Sequence, residues 1–397
     1  MNTKILTIFI IVAIFSSLLR FGHRENNWDE VSDSDYYLDM ALVFVGEKSE
    51  FMPEHKTNRH HYNRPLLAYC AGIIGHYLLG DNYRASFSII NIIAAIFIAS
   101  LLLIILKSLY PGIANSWYPS LLFLTSFSQM NFGYHILTET IGLAFALGTC
   151  YLVYQLLLRF DKSIRENQNY KFYKDCRVYL TFFIILITQT LSFLTRETAW
   201  FIFIFLIYIV IKRQLSRKNY LAFLILIFLI LIVAKLPHTI YANIYGTHST
   251  PLNYNMKVLI APKYLFDSVI KLGIIFNISW IIVFLEFLFW KKKLFSHIHE
   301  FIIGWSLAAF LYIVAGYLAN SMNKFGYPLR MFYSLFPIIF ITVVVYFERS
   351  YVAKRRMYLM GAFIVLSASI GVIGVILDSG VETIHTIYDL FNLSKLT

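Results

Sequence analysis

The acids of this chain gather in one place. Asp29, Glu30, Asp33, Asp35 and Asp39 fall within a short polar segment of a chain that holds only 22 acidic residues in 397. Asp33 or Ser34 can cap a helix starting near Asp35, and Asp35 and Asp39 would then share a face at i,i+4. Set against a membrane-embedded cavity, one of these carboxylates would be partly desolvated, which raises its pKa and suits it to general-base work. The same acids would also suit a solvated helix start, where they favour the positive end of the dipole, or a divalent-ion site. Two further polar turns, Thr138-Glu139-Thr140 and Thr195-Arg196-Glu197, sit where apolar runs meet. Charges at such positions are costly unless paired or wet, so they point to a shared polar cavity; the alternative is interfacial charges capping helix ends. Arg330 could hold a phosphate bidentately or snorkel to the lipid headgroups. His55, His60 and His61 offer no H-E-x-x-H spacing, and neighbouring histidines do not face one site on a helix, so they read as a solvated loop.

The elements that must position these residues are apolar helices. Hydrophobic residues make up 58% of the chain, charged residues 14%, and the mean hydropathy is +0.65, which excludes a soluble fold. Ser88–Leu106, Val178–Leu194, Leu221–Ala234 and Leu272–Trp290 are runs suited to crossing a hydrocarbon layer of roughly 30 Å as helices. The short alternating segments of a β-barrel are missing. A net charge of +12 might suggest nucleic acid, but its placement argues against that partner. The basic residues cluster between apolar runs, as Arg159/Lys162/Arg165/Lys171/Lys174/Arg177, Lys212/Arg213/Arg217/Lys218, Lys291/Lys292/Lys293 and Arg349/Lys354/Arg355/Arg356. By the positive-inside rule all of them face the cytoplasm.

With those groups fixed, the spans are expected near 4–20, 86–106, 117–136, 139–159, 178–194, 198–211, 219–236, 268–290, 299–319, 331–348 and 357–377. The expected fold is therefore all-α: a polytopic helical membrane protein with about eleven transmembrane helices. Its N-terminus is inside, and its first run, Ile5–Leu19, is a retained signal anchor because no A-x-A-like cleavage site follows it. Pro65–Leu79 is too short to cross comfortably and would invert the alternation, so it is expected along the outer surface as a juxtamembrane helix opened by Arg64-Pro65. One transmembrane domain over 1–397 is the simplest organisation, with a first outer loop over 21–85 carrying juxtamembrane helices and a second over 237–267. Cys70, Cys150 and Cys176 have no redox or zinc spacing.

Several of these motifs occur in a telling order. Asp33-Ser34-Asp35-Tyr36-Tyr37-Leu38-Asp39-Met40-Ala41 looks like an acidic-x-x-x-Tyr-x-x-x-Ala pattern, and Asn63-Arg64-Pro65-Leu66-Leu67-Ala68-Tyr69, ending in Leu79-Gly80, is similar to a proline-led juxtamembrane helix. Leu137-Thr138-Glu139-Thr140 supplies a polar turn, and Tyr327-Pro328-Leu329-Arg330-Met331-Phe332 the arginine-aromatic start of a late span. In this order the chain resembles the GT-C superfamily of polytopic membrane glycosyltransferases, the mannosyltransferase- and arabinosyltransferase-like enzymes that use polyprenyl-phosphate-linked sugars. The resemblance runs from Asp33 to about Arg159 and resumes around Arg330.

It implies an inverting transferase on the outer face of the cytoplasmic membrane. A carboxylate, Asp33 by resemblance with Asp35 as the alternative, would deprotonate an acceptor hydroxyl that attacks the anomeric carbon while lipid phosphate departs. Arg64, Arg196 and Arg330 are the candidates to meet the phosphate, and Glu139 and Glu197 join them as substrate-binding candidates. The implied partners are a polyprenyl-phosphate sugar donor, a glycan or lipid acceptor and the bilayer. No cofactor or metal ligand set is expected, with a divalent cation left open. Two other classes compete. A transporter or flippase for lipid-linked glycans would place ionisable residues near span midpoints, whereas Lys235 and Glu286 lie towards expected ends. An O-antigen or capsule polymerase would carry a larger late outer loop than 237–267.

Overall fold

The computed structural model describes residues 3–23, 34–51, 61–126, 129–130, 138–166, 176–213, 218–245, 279, 299–319, 332–350 and 353–376. Among them every regular element is helical. The α-helices are α1 (Thr3–His23), α2 (Ser34–Phe44), α3 (Pro65–Leu78), α4 (Tyr83–Leu109), α5 (Tyr118–Leu124), α6 (Glu139–Glu166), α7 (Cys176–Phe193), α8 (Phe201–Arg213), α9 (Lys218–Tyr245), α10 (Glu300–Ala319), α11 (Phe336–Ser350) and α12 (Ala353–Ile376). Short 3-10 turns cover His61–Asn63, Glu197–Trp200 and Phe332–Leu335.

Among the described residues, five helical segments are long and apolar enough to cross a membrane: Tyr83–Leu109, Glu139–Ser163, Cys176–Phe193, Phe223–Tyr245 and Arg355–Ile373. Large apolar side chains such as Ile232, Val233, Leu236, Ile240 and Ile244 of α9 point outward, which suits a helix solvated by lipid and not by water. The eleven expected spans rest on the apolar runs and the basic clusters between them, and the span expected at 268–290 lies outside the described residues apart from Ser279.

Helix α9 runs through Pro237, where the second outer loop is expected to begin, and continues to Tyr245. Proline in a helix interior removes a hydrogen bond and typically costs about 3 kcal/mol, which is why the sequence suggests a stop there. Aromatic packing beyond the proline offsets that loss: the rings of Tyr241 and Tyr245 meet Phe44 at 6.4 and 6.3 Å, and Tyr245 meets Phe51 at 5.8 Å.

The chain forms two compact units. The first comprises Met1–Ser34, Phe87–Thr140 and Pro251–Thr397. Its short α5 packs against α1, α11 and α12. There Phe123 stacks on Phe336 at 4.3 Å, and the Ser16 hydroxyl donates to the Leu124 carbonyl at 3.2 Å. Trp305 donates its indole N–H to the Ser334 carbonyl at 2.9 Å, holding α10 against the turn that opens α11. Buried Tyr333 in that turn donates to Gln129, and its hydroxyl lies 3.3 Å from that of Thr140.

The second unit comprises Asp35–Ser86 and Ile141–Thr250. Here α7 packs along α9 and against the turn Glu197–Trp200, and the Thr149 hydroxyl donates to Thr188 at 3.0 Å between α6 and α7. Gly72 of α3 lies against α2 so closely that a Cβ there would sit 2.9 Å from the Ala41 carbonyl. Asp161 near the far end of α6 pairs with Arg213, whose guanidinium also lies over the Tyr154 ring at 5.5 Å.

Candidate functional site

Building the second unit from its residues upward places a polar network under α2. This helix starts at Ser34, as a cap at Asp33 or Ser34 requires. Asp35 in its first turn is exposed, while Asp39, one turn later, is 1% exposed. The shared face therefore splits: Asp35 lies at the wet edge and Asp39 points inward. Both Asp39 oxygens accept bonds, Oδ1 from Lys48 Nζ at 3.0 Å and Oδ2 from the Tyr62 hydroxyl at 2.8 Å. A carboxylate so occupied orients its neighbours; it is poorly placed to abstract a proton. Tyr62 is itself buried, stacked on Phe51 at 4.3 Å. Burial first, and then the bond to Asp39, push its phenol well above the ordinary tyrosine range.

Arg64 follows that turn and caps α3, with Pro65 in the first helical position where its missing N–H costs nothing. Its side chain turns inward, 4% exposed, and Nη1 donates to the Tyr37 hydroxyl at 3.2 Å. Two residues on, the Leu66 N–H donates to the Leu194 carbonyl at 3.1 Å, which joins the start of α3 to the end of α7. Arg196 lies just beyond that end, in extended backbone and 5% exposed. The adjacent α6 approaches it through a glycine: a Cβ on Gly142 would stand 2.9 Å from Arg196 Cβ and 3.3 Å from Thr198 Oγ1. Two buried guanidinium groups are thus carried on neighbouring segments, an arrangement suited to an anion with several oxygens.

The C-terminal end of α9 adds to this network. Lys235 Nζ lies 2.8 Å from His238 Nδ1, His238 Nε2 lies 3.1 Å from the Asn63 carbonyl, and the Tyr241 hydroxyl donates to the Tyr62 carbonyl at 2.9 Å. At the junction of α3 and α4, Glu47, His76 and Asp81 place one donor atom each within 4.8 Å of one another, so this trio could hold a divalent cation. His76 Nδ1 already lies 3.2 Å from Glu47 Oε1 and 2.9 Å from Asp81 Oδ1, as an ion pair would.

Of the residues singled out in the sequence, Asp35, Arg64 and Arg196 belong to the second unit, the last two on segments joined by the Leu66–Leu194 bond. Glu139 opens α6 and is 3% exposed; by the division of the chain it belongs to the first unit, beside Thr140 in sequence. Glu197 begins the 3-10 turn, its side chain outside the described residues, and Asp33 and Arg330 lie outside them altogether. Tyr37, Lys48, Tyr62, Lys235, His238 and Tyr241 were not singled out as site residues. Lys235 and His238 carried a visible signal, as polar residues closing an apolar run; the tyrosines of an aromatic-rich chain carried none.

No protein-family model matches the sequence, and none of the curated proteins matches it. Among solved structures, the crystal structure of ArnT from Cupriavidus metallidurans in the apo state is similar, with a TM-score of 0.50 at 9% identity over 83% of this chain. The chain shares its fold with ArnT. The all-helical architecture expected from the sequence is met at the level of the fold. At this identity the likeness is one of fold alone, and the chain spans 56% of the length of ArnT.

Proposed function

We propose that this protein is a GT-C-type glycosyltransferase of the cytoplasmic membrane. It moves a sugar from a polyprenyl-phosphate-linked donor to a cell-surface glycan or lipid acceptor on the extracytoplasmic face. The fold shared with ArnT carries this reading, and the pair of buried arginines on adjoining segments supports it.

In the proposed reaction, Asp33, or Asp35 beside it, takes the proton of the acceptor hydroxyl as that oxygen bonds to the anomeric carbon. The bond between that carbon and the phosphate oxygen breaks on the opposite face, so configuration inverts. Negative charge grows on the departing lipid phosphate, and Arg64, Arg196 and Arg330 are assigned to meet it; Glu139 and Glu197 are assigned to the sugar hydroxyls. A guanidinium held in place before the reaction needs no reorganisation as the charge develops. Removing one such ligand is expected to cost about 2–4 kcal/mol of transition-state stabilisation.

The test is sugar transfer by the purified chain in proteoliposomes supplied with radiolabelled polyprenyl-phosphate sugars, with mass spectrometry of envelope glycans in a deletion strain to identify the product. Asp33→Asn should slow transfer by about 10²–10⁴-fold while insertion and expression persist. Full activity in both Asp33→Asn and Asp35→Asn would show that the base lies elsewhere. Envelope glycans identical to the parent's, with no transfer from any donor tried, would end the glycosyltransferase reading.

A further inference from the structure

The backbone on both sides of Arg64 is anchored, and the anchors come from different helices. Before it, two successive carbonyls are tied to α9: that of Tyr62 accepts from the Tyr241 hydroxyl at 2.9 Å, and that of Asn63 faces His238 Nε2 at 3.1 Å. After it, the Leu66 N–H donates to the Leu194 carbonyl of the α7 end at 3.1 Å. The guanidinium between them donates to the Tyr37 hydroxyl.

Lys235 decides how His238 can serve. Its Nζ lies 2.8 Å from His238 Nδ1, and an ammonium has protons to donate and no lone pair to offer. Nδ1 must therefore accept, which leaves the proton of a neutral imidazole on Nε2, aimed at the Asn63 carbonyl. The opposite tautomer would set two donors against each other at one end and two acceptors at the other. Lys235 is held in turn over the rings of Phe193 and Trp200, 5.0 and 5.9 Å from their centroids, on the segments that flank Arg196. His238 is 9% exposed, so water has little access to replace either contact.

We infer that Lys235 and His238 are positioning residues for Arg64: Lys235 sets the imidazole tautomer, and His238 carries the anchor that holds the turn ahead of Arg64. The consequence for catalysis rests on the reading of Arg64 as a ligand of the donor phosphate, since phosphate recognition by a fixed guanidinium tolerates displacements of only about 0.5 Å.

Two measurements on the full-length protein in lipid nanodiscs or proteoliposomes separate the anchor from its catalytic consequence. The first is hydrogen–deuterium exchange of the peptide covering residues 61–68. His238→Ala should speed its exchange by up to about tenfold, and Lys235→Met should act in the same direction by about threefold. His238→Gln, whose amide nitrogen can donate from the Nε2 position, should hold exchange near the wild-type rate. The second is sugar transfer: kcat/KM for the donor should fall by about tenfold in His238→Ala and recover in His238→Gln. Unchanged exchange in His238→Ala overturns the inference whatever the protein catalyses. Faster exchange with unchanged kcat/KM in an active protein overturns the link to Arg64. Faster exchange in the variant of a wild-type protein that transfers no sugar supports the anchor and sinks the catalytic reading on which its role depends.

Discussion

Deleting a single oxygen from Tyr62 should destabilise the second unit more than most surface substitutions could. In Tyr62→Phe the ring keeps its place, stacked on Phe51 at 4.3 Å, so the packing loss is small. What goes is the hydroxyl that donates to Asp39 Oδ2 at 2.8 Å, and the Asp39 side chain is 0% exposed. Water cannot take over that bond. A hydrogen bond to a charged group is worth about 1.5–3 kcal/mol, and a buried carboxylate oxygen left short of a donor keeps its full desolvation penalty, so a loss of about 2–3 kcal/mol is expected. Asp39→Asn should cost a similar amount, because it removes the charge that both Lys48 and Tyr62 address. The double variant should lose less than the sum by at least about 1 kcal/mol, since each single change already breaks the same contact. The assay is reversible unfolding in mixed micelles followed by circular dichroism, with all four proteins compared in one lipid composition. A Tyr62→Phe loss below about 0.5 kcal/mol, together with additive single effects, would show that the hydroxyl and the carboxylate are not bonded and that Asp39 is not the orienting group described here.

Gly142→Ala must displace either Arg196 or Thr198, because the new Cβ would stand 2.9 and 3.3 Å from their side-chain atoms; a cost of about 1–3 kcal/mol and weaker transfer are expected. Gly361→Ala in α12 meets nothing within 4 Å and should be neutral or stabilising by up to about 1 kcal/mol, and equal thermal shifts for the two variants would refute the close approach. The Tyr62 phenol is raised by burial and by Asp39, so its contribution to stability should be fully present below the ordinary tyrosine range near pH 10 and be lost as pH rises beyond it. Absorbance at 295 nm should show one fewer late-titrating phenol in Tyr62→Phe than in the parent; an unchanged late phase would count against it. Finally, in whole cells an impermeant maleimide should label Glu50→Cys without permeabilisation but the exposed native Cys176 only after it, and outside labelling of Cys176 would invert the proposed topology.

The parts of this fold legible in the sequence are those set by local chemistry. Arg64-Pro65 announces the start of α3 because proline suits a first helical turn, Ser34 opens α2, and Glu139 opens α6 where a negative charge favours the helix dipole. The network around Asp39 was out of reach for a different reason. Tyr62 and Asp39 are 23 residues apart, and His238 and Asn63 are 175 apart, so neither contact follows from helical periodicity. Even within one helix, i,i+4 spacing placed Asp35 and Asp39 on a common face but could not say that one would be exposed and the other buried. The helical extent of α9 beyond Pro237 is not legible in sequence because proline's local cost is visible there, whereas the aromatic contacts of Tyr241 and Tyr245 that offset it belong to tertiary structure.

The longer α9 changes the weight of the transporter alternative, and the change turns on depth. With the helix ending at Tyr245, Lys235 no longer lies near its terminus, and an ionisable residue inside a span is what a transport pathway would need. Its neighbours fix its level differently. The ammonium stands over Phe193, the last residue of α7, and over Trp200, just before α8, and its partner His238 reaches the Asn63 carbonyl of the loop ahead of α3. Those groups sit at the end of α7, just before α8 and just ahead of α3, so Lys235 lies level with the ends of those helices and not with their middles. Aromatic rings at that level are what an interface selects, and a lysine there can be held without crossing the hydrocarbon. Among the described side chains, Arg84 and Lys107 of α4, Arg177 of α7 and Arg355 with Arg356 of α12 fall in the end turns of their helices, while in α6 Glu139 opens the helix and Arg159, Asp161 and Lys162 lie towards its far end. Ionisable side chains placed towards the helix ends, among the described residues, weigh against a relay through the bilayer and are in keeping with the proposed transferase.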